Sequence, residues 1–254
     1  VPEVPVFHHL PREQGKLYFG LEFEIITDLP FKEIQRVATD VEPVQEPFFY
    51  FKHDGSIEYE HGEEESVEIV TLPCTARFLR KNLRLFFSKL DKLGLSDRVR
   101  TNETCGVHVH LSKEAFYSNF HKRKFVALWN QFENTSKSFI QKLGKRSFTS
   151  YCKNADLHNG FILSRRLKTD VSASNSTVDK YSASRETNNT VEVRVFKGDF
   201  SLDHILYCLD VTRAMFAYSN KMPLSDLKGS SFKGNFLVWL RQHPNFNTLK
   251  KELL

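Results

Sequence analysis

Several segments of this chain alternate between apolar and ionisable residues with a period of two. In residues 17–25 the odd positions are all apolar, and Gly20, Glu22 and Glu24 lie among the even positions. Side chains along a β-strand point alternately to opposite faces, so this pattern predicts a strand with one buried and one polar face. Similar segments at 48–52, 66–72, 105–112 and 190–195 predict further strands. Such strands bury one face against helices, which predicts an α+β fold with an antiparallel sheet.

The helices expected to cover that sheet follow from apolar residues at helical spacing. They are predicted at 30–40, 75–93, 113–143 and 202–220, with shorter helices after Pro223. Residues 1–15 lack periodicity and are interpreted as an N-terminal arm. Residues 16–220 would form the main domain and 221–254 a C-terminal helical extension of it. The 254 residues, 40% of them hydrophobic, suit a single core.

Composition and charge narrow the class of protein. The net charge of +5 and pI near 8.9 are mild, and the basic residues occur in short clusters along the chain. We therefore expect a solvated surface in preference to a nucleic-acid footprint. The four cysteines are far apart, which argues against a zinc finger or a disulfide scaffold and for a reducing compartment. No apolar run approaches the roughly 18 residues of a membrane span, so a cytoplasmic protein is predicted.

The polar faces of the predicted strands carry an unusual set of residue types. A single pair such as Glu22 and Glu24 is typical of any solvated sheet face. Together, however, these faces offer carboxylates, imidazoles and a guanidinium with almost no lysine. Carboxylates that share one surface repel each other unless cations neutralise them, so the set predicts a divalent-metal site. Oxygen-rich ligands with one imidazole favour Mg²⁺ or Mn²⁺ over zinc. The residues are Glu22, Glu24, Glu68, His108, His110, Glu192 and Arg194.

Several nucleotide and nucleophile motifs do not occur in the sequence. It contains neither GxxxxGK[ST] nor GxGxxG, so a bound nucleotide would be held by metal ions and sheet residues. It also lacks the GxSxG nucleophile motif, and covalent catalysis by the protein is not indicated. Arg194 beside a metal site is suited to contacting a transferring phosphoryl group.

Six motifs in order resemble the amidoligase family, distant relatives of glutamine synthetase and glutamate–cysteine ligase. They are GLEFE at 20–24, HDGS at 53–56, VEIVTLP at 67–73, NETCGVHVHLS at 102–112, RSFTSYC at 146–152 and NNTVEVRVF at 188–196. The resemblance covers residues 16–220. It implies a glutamine synthetase-like catalytic fold, in which a funnel-like antiparallel sheet binds ATP at one end and a carboxylate substrate at the other. The implied cofactors are ATP and Mg²⁺, with Mn²⁺ as an alternative.

The resemblance also implies a role for individual residues. The implied metal ligands are Glu22, Glu24, Glu68, His108 and Glu192, with Glu24 and Glu68 on one side and the other three together. The implied catalytic residues are Arg194, Glu68 and His110, and the implied cofactor-binding residues are His110, Arg194 and Arg146. Asp54 matches the aspartate of the family's DGS motif, with no role assigned. Many relatives carry an asparagine shortly after the tyrosine that matches Tyr181, whereas Ser182 to Arg185 follow here.

The activity implied by the resemblance is amide formation by an ATP-dependent carboxylate–amine ligase. The γ-phosphate of ATP would activate a carboxylate as an acyl phosphate, which an amine then attacks. The acid and the amine could be small molecules, peptides or a modified nucleobase, and a homo-oligomer is compatible with ring assemblies among distant relatives. The irregular segment 153–188 is predicted either as a lid or as a loop without catalytic motion. Two alternatives stay open: a metal-dependent phosphodiesterase or nuclease, and an inactive nucleotide-binding module of the same fold.

Overall fold

The computed structural model describes residues 16–39, 48–59, 64–130, 134–148, 152, 182–227 and 230–254. Its strands in chain order are β1 Phe19–Thr27, β2 Phe49–His53, β3 Glu65–Thr71, β4 Val99–Arg100, β5 Gly106–Ser112, β6 Ser184–Glu186 and β7 Thr190–Lys197. Its helices are α1 Phe31–Thr39, α2 Ala76–Lys92, α3 Asn119–Trp129, α4 Asn134–Gly144, α5 Leu202–Lys221, α6 Phe232–Gln242 and α7 Asn247–Leu253.

The seven described strands form one antiparallel sheet. Six of them follow the order β2-β3-β1-β5-β7-β6, and β4 pairs with the end of β1 at Ile26 and Thr27. The long strands coincide with the segments that alternate in the sequence. The described residues therefore form a mixed helix and sheet structure, consistent with the α+β prediction, whereas the funnel shape and the glutamine synthetase-like fold stay predictions.

The helices cover the apolar face of the sheet and form the core with it. The ring of Phe86 in α2 lies 4.7 Å from that of Phe49 in β2, and Trp129 in α3 lies 5.9 Å from Phe196 in β7. Helix α5 is central, since 14 of its residues are buried. Full burial of a large apolar side chain contributes about 1.5–3 kcal/mol, so this layer holds the polar face of the sheet in a fixed geometry.

Helix α2 begins and ends where the sequence predicts. Thr75 has extended backbone angles, and its side chain accepts a hydrogen bond from the amide of Phe78 at 3.4 Å. Gly94 follows the helix with φ of 66°, a conformation that side chains other than glycine rarely adopt. The N-cap and the glycine together confirm the predicted bounds.

The single long helix predicted over 113–143 is wrong. The structure has a short 3₁₀ turn at Lys113–Ala115, followed by two separate helices, α3 and α4. Ser118 has an extended backbone, and its hydroxyl accepts from the amide of His121, which starts a new helix. Asn130 leaves the helical region, and its side-chain amide donates to the carbonyl of Val126. Apolar spacing continued across both breaks, whereas the capping residues decided where each helix begins and ends.

Other predictions are met in part or lie outside the described residues. The arm at 1–15 and most of the irregular segment, 153–181, lie outside them. Irregular structure is wrong for the end of that segment, because Ser184–Glu186 form β6 along β7. In the C-terminal extension, Phe232, Phe236 and Leu249 are buried in the same core as the sheet. Among the helices of the described residues, none has both the length and the apolar character to cross a membrane.

Candidate metal centre

The polar face of the sheet brings together all seven ionisable residues that the alternation placed there. In the register of the strands, Glu22 of β1 pairs with His108 of β5, and Glu24 pairs with Glu68 of β3. On the other side of β5, His110 pairs with Glu192 of β7. Directly paired residues point to the same face with Cβ atoms about 5 Å apart, so four strands contribute to one cluster of side chains.

Arg194 also belongs to this cluster and lies at a β-bulge. The register of β5 and β7 shifts between Val107 and Val109, so that two residues of β7 lie opposite His108. The Nη1 atom of Arg194 lies 3.4 Å from the Nδ1 atom of His108. The register that pairs His110 with Glu192 and Val109 with Val193 already places Arg194 opposite His108, so this contact follows from strict alternation along β7.

Glu22, His108 and Glu192 form the part of the cluster best suited to holding a metal ion. One donor atom from each residue lies within 4.8 Å of the other two. The Nδ1 atom of His108 is 3.3 Å from an oxygen of Glu22 and 3.7 Å from an oxygen of Glu192. The resemblance grouped these same three residues on one side of the predicted metal set.

Glu24 lies on the other side of His108, with Gly106 and Arg146 around it. One oxygen of Glu24 accepts a 2.6 Å hydrogen bond from the amide of Gly106, and the other lies 3.7 Å from the Nε2 atom of His108. Arg146, only 8% exposed, donates to the carbonyl of Glu103. A Cβ atom on Gly106 would stand 2.9 Å from Nη1 of Arg146, so the guanidinium reaches the edge of the cluster. The sequence expectation that Arg146 contributes there is compatible with this position.

Glu68 contacts residues that differ from those the resemblance implies. Although its backbone pairs with Glu24, its carboxyl group interacts with Glu22 and lies 3.4 Å from the ammonium of Lys52. The sequence pattern did not identify Lys52 as part of this cluster, because the polar faces were predicted to carry almost no lysine. The signal was present, because alternation over 48–52 places Tyr50 and Lys52 on one face.

Two arginines hold Glu192 from opposite sides. Arg194 donates to one of its carboxylate oxygens at 2.6 Å, and Arg185 of β6 donates to the other at 2.6 Å. Arg185 was also missed, because the segment before residue 188 was predicted to be irregular. The Nε atom of Arg194 is buried and has no hydrogen-bond partner among the described residues. A buried donor without a partner is available to an anionic ligand.

His110 lies at one end of the cluster, and this end faces a small cavity. Its Nε2 atom lies 3.2 Å from an oxygen of Glu22, and its Nδ1 atom lies 3.0 Å from the hydroxyl of Thr190. The cavity, of about 190 Å³, is lined by both His110 and Glu22 and by Tyr18 and Tyr50. His110 is therefore placed between the carboxylates and a space that a small molecule can enter.

Asp54 lies beside this cluster and shapes a turn. Its carboxylate accepts hydrogen bonds from the amide and the hydroxyl of Ser56, at 2.8 and 2.7 Å. Its negative charge also acts on Glu24 and raises the pKa of that carboxyl group, although burial is the larger cause. The described contacts give Asp54 a turn-forming part at the end of β2.

Some carboxyl groups of the cluster have a lowered pKa and others a raised one. Burial acts to raise the pKa of Glu22, but hydrogen bonds from His108 and His110 keep it below its ordinary value. Burial is likewise outweighed at Glu192, where His108, His110 and the two arginines lower the pKa. Burial raises the pKa of Glu68 to about 8, and the charge of Glu22 acts in the same direction.

This distribution of charge fits a divalent cation. Besides burial, the charge of Glu22 helps to raise the pKa of Glu68, because neighbouring carboxylates repel each other. Glu192 is paired with two arginines, but an ionised carboxylate offers about four lone-pair sites, so its oxygens can still ligate an ion. Oxygen donors with one imidazole suit Mg²⁺ or Mn²⁺. We call the group Glu22, His108 and Glu192 the candidate metal centre.

A scan against models of protein families found no match, and a search of curated proteins found none either. The resemblance to the amidoligase family stays a prediction that depends on the six motifs. What the protein does is therefore inferred from the site.

Proposed function

We propose that this protein is an ATP-dependent carboxylate–amine ligase that forms an amide bond. One observation carries the proposal: two carboxylates and an imidazole from three strands meet at the candidate metal centre, beside a largely buried arginine and next to a cavity. Buried carboxylates beside a guanidinium are suited to holding a metal-bound triphosphate and the phosphoryl group that it transfers. The order of the six motifs supports the same activity.

Different residues would bind different parts of the metal-bound nucleotide. Glu22, His108 and Glu192 would hold one Mg²⁺, and Glu24 with Glu68 a second, as the resemblance implies. Bound there, Mg²⁺ would offset the charge of the phosphate oxygens. The free Nε donor of Arg194 would contact the transferring phosphoryl group. Because this arginine is largely buried, its charge acts with little screening by water.

His110 would contribute at the mouth of the cavity. Burial acts to lower the pKa of its imidazole, but the hydrogen bond to Glu22 and the charge of that carboxylate raise it above the usual value. A protonated imidazole beside the cavity can hold an anionic group of the nucleotide or of the acid substrate. The carboxylate oxygen of the substrate would attack the γ-phosphorus and release ADP. The amine would then attack the acyl carbon, and phosphate would leave.

The decisive experiment combines activity with an isotope tracer. The protein would be incubated with ATP, Mg²⁺ and pools of carboxylic acids and amines, and release of ADP would be measured. We expect release that depends on both an acid and an amine. With an ¹⁸O-labelled carboxylate, we expect one labelled oxygen in the phosphate product, since an acyl phosphate transfers it.

A matched pair of variants makes this test specific. Arg194→Gln should lose release of ADP, whereas Arg98→Gln, which removes an exposed arginine paired with Asp28, should retain it. Cleavage of DNA or RNA without ATP would favour a metal-dependent nuclease and contradict the proposal. If the protein binds ATP but releases no ADP with any pool of carboxylic acids and amines, an inactive nucleotide-binding module would be favoured.

A further inference from the structure

The positive charge of this protein is concentrated on one helix. Helix α2, Ala76–Lys92, contains six basic residues and one acidic residue, a net charge of +5. The whole chain also has a net charge of +5, so the other residues together are neutral. The short basic clusters expected along the chain are therefore unequal, because the one in α2 accounts for the excess charge.

The outer face of α2 lines an open cavity of about 770 Å³ together with Arg213 of α5. We call this cavity the basic cleft. The cations that line it are Arg77, Arg80, Lys81, Arg84 and Arg213. A serine and two aliphatic side chains complete the lining, which includes no carboxylate and no aromatic ring among the residues that the structure describes.

One buried carboxylate holds two of these cations in place. Asp210 of α5 is 6% exposed and pairs with Arg80 and, at 3.1 Å, with Arg213. Burial lowers the pKa of the Arg80 guanidinium, and the charges of Arg213 and Arg84 act in the same direction, while Asp210 opposes them. Two of the five cations in the lining thus pair with Asp210, and the cleft carries excess positive charge.

The remaining cations of the cleft are available to a ligand. Among the described residues, no carboxylate lies within ion-pair distance of Arg77, Lys81 or Arg84, and all three are exposed. Along the helix axis, at roughly 1.5 Å per residue, the Cα atom of Lys81 lies about 6 Å from that of Arg77, and the Cα atom of Arg84 lies about 10 Å from it. One ligand with several anionic groups can therefore contact all of them at once.

The basic cleft is separate from the candidate metal centre. The inner face of α2 packs into the core, where Phe86 contacts Phe49 of β2. The metal centre lies on the opposite, polar face of the same sheet. A ligand in the cleft would accordingly bind behind the sheet, with the helix between it and the carboxylates.

We propose that the basic cleft binds a small ligand that carries two or more closely spaced phosphate groups. Guanidinium groups form paired hydrogen bonds with phosphate oxygens, and arginine is the commonest cation in the lining. The cavity volume falls in the range of about 300–1,000 Å³ that is typical of small-molecule sites. The lining offers no aromatic ring on which a nucleobase could stack, so the phosphates themselves are the recognised groups.

Inorganic tripolyphosphate is a suitable probe, and calorimetry in the presence of EDTA is a suitable measurement. With divalent metal removed, the carboxylates of the metal centre repel a polyphosphate, so binding reports on the cleft. We expect the double variant Arg77→Gln/Arg84→Gln to weaken binding by about tenfold or more, as loss of charge-assisted hydrogen bonds predicts. Both residues are exposed, and an unchanged melting temperature would show that the variant folds.

The matched control is Lys221→Gln/Lys233→Gln, which removes two exposed cations elsewhere and leaves the cleft intact. We expect its affinity to stay within about twofold of the wild type, since distant surface charges are screened. Equal weakening in both double variants would overturn the proposal, because the effect would then be one of net charge. Absence of tripolyphosphate binding to the wild-type protein would overturn it as well.

Two further measurements distinguish the ligand class and the site. A single-stranded RNA or a phosphatidylserine vesicle that binds through Arg77 and Arg84 more tightly than tripolyphosphate would overturn the small-ligand proposal. Glu192→Gln should leave tripolyphosphate binding in EDTA unchanged. Tighter binding in that variant would place the binding at the metal centre, where one carboxylate fewer repels the anion less, and would overturn the cleft. These outcomes do not depend on whether the protein is a ligase.

Discussion

Glu22 and His108 occupy directly paired positions on β1 and β5, and their side chains meet with 3.3 Å between Oε2 and Nδ1. They are 86 residues apart in the chain. Glu192 approaches the same imidazole nitrogen from β7 at 3.7 Å. Antiparallel pairing of three strands thus creates a ligand set that no local segment contains.

Loss of one ligand should remove metal binding while leaving the fold intact. We expect His108→Ala and Glu192→Gln to abolish binding of Mn²⁺, measured by calorimetry, because each removes one of three donor atoms. In metal-free buffer the melting temperature of Glu192→Gln should change little, since the variant loses an ionic partner of Arg194 but keeps a hydrogen-bonding amide. Glu252→Gln, an exposed carboxylate in α7, is the control and should bind as the wild type. A large fall in melting temperature for Glu192→Gln would instead give that residue a structural role.

A methyl group at Gly106 should disturb the centre, whereas one at Gly20 should not. At Gly106 it would lie 2.9 Å from Arg146, 3.1 Å from His108 and 3.4 Å from Glu24. At Gly20, on the same face, the nearest atom is 3.6 Å away, which is ordinary contact. We expect Gly106→Ala to weaken Mn²⁺ binding by about tenfold, or 1.4 kcal/mol, and Gly20→Ala to have little effect. Equal affinities in both variants would contradict the crowding at Gly106.

Two helical glycines should respond to alanine with opposite signs. A Cβ at Gly144, the last residue of α4, would overlap the carbonyl oxygen of Val195 in β7, so Gly144→Ala should destabilise the protein by about 1–3 kcal/mol. Gly234 in α6 has open space around its Cα, and Gly234→Ala should stabilise by up to about 1 kcal/mol through helix propensity. Urea unfolding of both variants measures these free energies. A stabilising Gly144→Ala would disprove the close packing of α4 on β7.

Acid should destabilise the protein through His121. Its Nδ1 atom faces the amide of Tyr117 at 3.4 Å, and its Nε2 atom lies 3.0 Å from the carbonyl of Phe216, so the neutral ring fits the site. Burial lowers its pKa, and Lys124 acts in the same direction. Because the folded pKa lies below the unfolded value, the unfolded chain binds the proton more tightly. The stabilisation is present above pH of about 6.5 and is lost as the pH falls, by up to about 1.4 kcal/mol per pH unit.

Comparison of variants isolates this contribution. We expect the free energy of unfolding of His121→Gln, measured by urea titration between pH 7 and pH 5, to fall less steeply than that of the wild type. The variant can be less stable at every pH, so only the slope is compared. Gln242→Ala replaces an exposed side chain that carries no titratable group and should keep the wild-type slope. Identical slopes for all three proteins would show that His121 does not titrate in this range.

Much of the sheet could be predicted from local pattern, because alternation is a property of neighbouring residues. The face on which Glu22, Glu24 and Glu192 lie follows from a period of two, whichever strands pair. The breaks between helices were harder to predict from the sequence, since the apolar spacing of 113–143 continues across Ser118 and Asn130. Those breaks depend on single hydrogen bonds between a side chain and the backbone, which spacing does not reveal.

The sequence by itself determined which residues share a polar face, because the direction of a side chain along a strand is local. Only the tertiary structure decided which of them meet: it paired Glu68 with Lys52, placed Arg185 on Glu192, and gathered the cations of α2 around Arg213. The physical reason is that strand register and helix packing are set by burial of the whole apolar core. Charged partners far apart in the chain are brought together as a consequence of that burial.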